Sequence, residues 1–96
     1  MEYNAMIELD VYIDRLTDDE TVALLEPIGP HHGALGRSDT GRVQLTITVD
    51  ALDAIDTLRI VHDLMQASYA SYRVNSVDVM LTSMFDAIYG LGHYFG

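Results

Sequence analysis

The chain contains no cysteine, which excludes a disulfide staple, a thiolate metal site and a thiol nucleophile. It also lacks lysine: all 5 basic residues are arginines, Arg15, Arg37, Arg42, Arg59 and Arg73. Against them stand 15 acidic residues, 11 Asp and 4 Glu, for a formal net charge of −10. Phosphate recognition draws most of its affinity from clustered cations and the counterions they release, so direct contact with nucleic acid or an anionic membrane is not expected. No apolar run approaches the ~18 residues a membrane-spanning helix needs, and no basic segment followed by a small apolar stretch opens the chain. A cytoplasmic location is therefore expected.

With 96 residues, 49% apolar and 21% charged, the composition is that of one globular domain with a modest core. Residues 5–14 alternate, Ile7, Leu9, Val11 and Ile13 on one side and Glu8, Asp10 and Tyr12 on the other, as in a half-buried strand. Thr17-Asp18-Asp19-Glu20 then reads as a capping box, with the acids suited to the positive end of a helix whose buried side is Val22, Leu24 and Leu25. Pro27, Gly29 and Pro30 stop it. A short strand over 33–38, a turn at Ser38–Gly41 and a strongly alternating strand over 42–50 follow, the last with Val43, Leu45, Ile47 and Val49 inward. Asp50 is the expected N-cap of a second helix, with Asp53 and Asp56 near its start and Ile55, Leu58, Val61, His62 and Met65 at helical spacing. A last strand over 72–82 carries Val77, Val79 and Leu81 inward.

Strand, helix, strand, strand, helix, strand is the order of a ferredoxin-like βαββαβ sandwich, an α+β fold with two helices on one face of a four-stranded antiparallel sheet. Residues 1–96 form one such domain, with the core at 5–82. Residues 83–96 are an apolar extension, in which Thr82 or Ser83 caps a short helix that Gly90 ends.

The segments Leu35–Ser38, Gly41–Val43, Thr46–Thr48 and Val79–Asp86 resemble the shared pattern of a group of small actinobacterial and actinophage (bacteriophage) proteins of uncharacterised function. In some longer relatives this module precedes a small helix-turn-helix DNA-binding domain, and no reader helix follows within these 96 residues. The resemblance implies an accessory or assembly module, phage-encoded and acting on a host protein.

No catalytic, cofactor or metal motif occurs: G-x-S-x-G, H-E-x-x-H, G-x-x-x-x-G-K and G-x-G-x-x-G are all absent. Neighbours in extended chain point apart, so His31 and His32 read as a solvated loop rather than a metal pair. A small dimeric enzyme using Tyr12, His62 or Tyr72 is an alternative resting on fold analogy alone. An RNA-binding sheet stacks bases on aromatics, but here Tyr12 stands outward among Glu8, Asp10 and Asp78. The same face suits a homodimer or a partner protein, through Tyr12, Thr46, Thr48 and Met80, provided Glu8 and Asp10 lie at a rim or opposite arginine. The rival interface is the tail: Met84, Phe85, Ile88, Tyr89, Leu91, Tyr94 and Phe95 are too apolar to leave in water as one patch, and they either fold back on the sheet or meet another chain. The expected function is a non-enzymatic interaction and oligomerisation module. An acidic DNA mimic that occupies the groove of a nucleic-acid-binding protein is the other alternative.

Overall fold

The computed structural model describes residues 1–90. Four strands form one antiparallel sheet: β1 (Glu2–Tyr12), β2 (Ala34–Arg37), β3 (Arg42–Asp50) and β4 (Val74–Leu81). Their spatial order is β2-β3-β1-β4, the arrangement of a ferredoxin-like fold. Helices α1 (Asp18–Leu25) and α2 (Ala54–Ser68) cover one face, and α3 (Thr82–Phe85) passes into a π-helical turn, Asp86–Gly90. Among the described residues no helix is long and apolar enough to cross a membrane.

The alternation of β1 and β3 builds the core. Ala5, Ile7 and Leu9 lie fully buried beside Val43, Leu45 and Ile47, with Ile7 registered against Leu45 on one side and Val77 on the other. The first strand starts three residues earlier than its alternation suggests, because Glu2, Tyr3 and Asn4 find partners in Asp50, Val49 and Thr48. It also ends two residues earlier. A register shift after Glu8 precedes a 3-10 turn at Ile13–Arg15, whose first amide donates to the Gly41 carbonyl.

The capping box forms in both directions: the Glu20 amide donates to Thr17 Oγ1 at 3.2 Å, and the Thr17 amide to Glu20 Oε1 at 3.0 Å. Such a cap contributes about 1 kcal/mol. Of the three expected buried residues, Leu24 is buried and Leu25 half-buried, but Val22 is exposed. A helix of 8 residues offers little face, and Ile28 from the next turn completes the core beneath it. α1 ends at Leu25, as expected, two residues before Pro27. The proline occupies the first turn of a 3-10 helix, Glu26–His31, where its missing amide costs nothing, and His32 in the left-handed region (φ 54°) closes it.

Asp53, not Asp50, caps α2, accepting from the Asp56 amide at 2.8 Å. Asp50 still belongs to β3, and its carboxylate holds the N-terminal ammonium at 2.9 Å. The buried stripe of α2 is Thr57, Val61 and Met65, continued by Tyr69 just past its end, whereas Ile55, Leu58 and His62 are exposed. Buried Thr57 is satisfied by donating to the Asp53 carbonyl at 3.0 Å. Tyr69 donates its hydroxyl to the Leu24 carbonyl at 2.5 Å, tying the end of α2 to α1. Burial pushes its phenol up to about 12. β4 is shorter than the expected 72–82, and its inward residues Val77, Val79 and Leu81 are only half-buried because it is an edge strand.

Candidate functional site: the uncovered face of the sheet

Among the described residues the helices leave one face of the sheet uncovered, and alternation places the even-numbered residues of β1 and β3 there, with Ser76, Asp78 and Met80 of β4. Charge is unevenly distributed across it. At one end, Arg42 Nε donates to Asp10 at 3.1 Å and its Nη2 to the Tyr12 hydroxyl at 3.2 Å, with the guanidinium 4.6 Å from the Tyr12 ring centre. Arg15 approaches the same ring at 5.3 Å. Glu8 accepts from Thr40 at 3.0 Å and Asn75 at 3.2 Å, and Arg37 grips Asp14 through two hydrogen bonds. Of the two acids that had to lie at a rim or meet arginine, Asp10 meets Arg42, whereas Glu8, on a central strand opposite Gln44, is held by Thr40 and Asn75.

The middle of the face is uncharged. Asn4 and Met6 from β1 stand beside Gln44, Thr46 and Thr48 from β3, with Met80 on β4, and apart from buried Asn4 they are half-buried. On β2, Ala34 pairs with Thr46 and Gly36 with Gln44; a Cβ built on Gly36 would meet nothing within 4 Å. That side is therefore shallow. Asp78, exposed on the edge strand opposite Met6, is the charge nearest the middle.

At the far end, Asn4 donates to Thr48 Oγ1 at 3.3 Å and accepts from Thr82 Oγ1 at 2.5 Å. Thr82 thus anchors the start of α3 to this face instead of capping the helix, whose N-cap is Leu81. Beyond it Phe85 is half-buried, while Met84 and Ile88 are more than half exposed. Leu91, Tyr94 and Phe95 lie outside the described residues, as does the side chain of Tyr89.

The expected interface residues therefore separate. Thr46, Thr48 and Met80 share the uncharged middle, and Tyr12 belongs to the charged end under Arg42. Asn4, Met6, Ala34, Gly36 and Thr82 were not foreseen. Counting the alternation of β1 back two more residues places Asn4 and Met6 in phase with Glu8; only register places Ala34 and Gly36.

Elsewhere, His31 and His32 border a shallow depression with Glu2 and Asp50. Among the described residues no three His, Cys, Asp or Glu side chains gather as metal ligands would. The acids are largely in local use: Asp10, Asp14 and Asp56 pair with arginines, Asp53 caps α2, and Asp50 holds the amino terminus.

These contacts give a pH dependence with a definite sign. Hydrogen bonds from Ser38, Asn75 and Thr40 hold Glu8 below its ordinary 4.5, and Arg42 holds Asp10 below its ordinary 3.8. Arg37 does the same for Asp14, the Thr17 cap for Glu20, and the Leu52 amide with Arg59 for Asp56. Each is more acidic folded than unfolded, so its stabilisation is present above the ordinary values and lost as pH falls through the lower folded ones. The thermal midpoint is expected to fall steadily once pH drops below 4.5 and then 3.8, followed by circular dichroism. A midpoint that rises through that window would contradict these assignments.

Comparison with protein-family models, curated proteins and solved structures gave no match.

Proposed function

We propose that this protein is a non-enzymatic interaction module that self-associates through the uncovered face of its sheet. One observation carries the reading: in a chain of net charge −10, the middle of this face bears no charged side chain. Charge depletion at the centre with charge at the rim is how interfaces differ from ordinary surface. The small residues of β2 and β3 let a second sheet approach closely, and the paired Asp10–Arg42 end and Asp78 fall at the periphery. Exposed Met84 and Ile88 follow the Thr82 anchor at the opposite end, where Glu2 and Asp50 form the charged limit of the face. Such a scaffold acts by presenting paired surfaces to a host or partner protein. The cysteine-free composition suits a cytoplasmic setting.

Two like-charged copies repel at long range, so salt should strengthen this association by screening. Sedimentation equilibrium is expected to show a dimer that tightens as salt is raised. Thr46→Arg, at the centre of the face and directed away from the core, is expected to give a monomer with an unchanged circular dichroism spectrum and thermal midpoint. A wild-type protein that stays monomeric into the millimolar range at every salt concentration would overturn the proposal. So would a dimer indifferent to Thr46→Arg. Association with a nucleic-acid-binding protein that weakens with salt and is competed by DNA would point instead to phosphate mimicry.

A further inference from the structure

A different surface, independent of the sheet-face dimer, carries a second inference. Among the described residues β4 is an outer strand of 8 residues, twice the length of the opposite edge β2, and contains neither proline nor lysine. Its one irregularity is a register shift against β1 between Val74 and Ser76, which leaves residues 76–81 regular. Proline, lysine, bulges and covering segments are the usual protections of an unpaired edge. Beside it α2 leaves a groove of about 270 Å³ lined by Leu58, Val61, His62, Met65, Val74 and Val77. Met65 and Val74 also line an adjoining depression that runs on to Tyr69 and Tyr72. Leu58 and Val74 are substantially exposed, and Ile55, one turn before Leu58, is 78% exposed. An apolar trough along an unpaired strand is the geometry of strand addition, in which main-chain hydrogen bonds give affinity and alternate side chains fill the groove.

Charge and symmetry select the occupant. In a second copy pairing antiparallel along the full strand, the two-fold axis would pass near Val77 and Asp78, the midpoint of Val74–Leu81. Asp78 would then approach its own copy, and like charges facing across strands are destabilising. A cationic strand instead meets Asp78 on the outer face of the sheet and the field of a molecule of charge −10. We propose that an extended, basic segment of another protein docks as a fifth strand on the outer edge of β4, its alternate apolar side chains seated between α2 and β4.

The test uses three capped peptides as long as β4, titrated into isotopically labelled protein and followed by amide NMR. The first alternates valine and lysine, the second replaces lysine by glutamate, and the third is the first with alternate backbone amides methylated. The valine–lysine peptide is expected to saturate, shifting amides of residues 74–81 and slowing their hydrogen exchange. The glutamate and methylated peptides are expected to bind at least about tenfold more weakly, since one loses charge complementarity and the other the strand pairing. Leu58→Asp, at a partly exposed position, is expected to abolish binding with an unchanged circular dichroism spectrum, whereas Thr46→Arg leaves it intact. Failure to saturate, or equal binding of the methylated peptide, would overturn the proposal by reducing the effect to diffuse attraction. So would shifts confined to the uncovered face, or a protein dimer that Leu58→Asp dissociates.

Discussion

Ile7→Ala is expected to lower the unfolding free energy by about 3–4 kcal/mol, measured from denaturant midpoints by circular dichroism. Ile7 is fully buried on a central strand and stands in register between Leu45 of β3 and Val77 of β4. Truncation removes three carbons from the most crowded part of the molecule. The backbone there is hydrogen-bonded on both sides, so it cannot move to close the cavity. A domain of this size commands about 5–15 kcal/mol in total, so the loss takes a large share of its stability. A midpoint shift equivalent to less than about 1 kcal/mol would mean that the sheet relaxes around the void, contrary to the packing described.

Gly33→Ala is expected to cost about 2–3 kcal/mol despite adding a single methyl group. A Cβ at Gly33 would stand 2.5 Å from Cβ, Cγ1 and the carbonyl oxygen of Ile28. The carbonyl cannot retreat, because it accepts from the Gly33 amide at 2.9 Å, and the Ile28 side chain is fully buried in the core. The added group must therefore break the hydrogen bond or push Ile28 out of place. Gly36→Ala is the control. Its Cβ meets nothing, and the change should stay within about 0.5 kcal/mol. Equal midpoints for the two variants in thermal and denaturant melts would refute the close approach at Gly33.

The sequence carried the architecture because its signals are local. Alternation in β1 and β3 fixed which residues face the core. Thr17 and Glu20, three residues apart, formed their reciprocal cap as read, and Gly41 supplies the positive φ (79°) that the turn before β3 requires. Part of the candidate site was legible in the same way, since Thr46, Thr48 and Met80 follow from the strand period. The rest depended on contacts between distant segments. Ala34 and Gly36 reach the face only through the register of β2 on β3. Arg42 reaches Asp10 through the pairing of β1 on β3, and the shift after Glu8 adds Tyr12 directly opposite Arg42.

The same division runs through α2. Its apolar residues span more than half of the helix circumference at 100° per residue, so periodicity establishes a helix without choosing its rotation. Contact with the sheet chose it, burying Thr57, Val61 and Met65 and turning Ile55, Leu58 and His62 outward. That rotation creates the groove beside β4, which no local pattern announces. Sequence alone determined the elements, their order and the fold class, because period, caps and turns are written in neighbouring residues. Helix rotation, strand register and the surfaces left uncovered were decided only in the tertiary structure, where segments far apart in the chain compete for the same buried space.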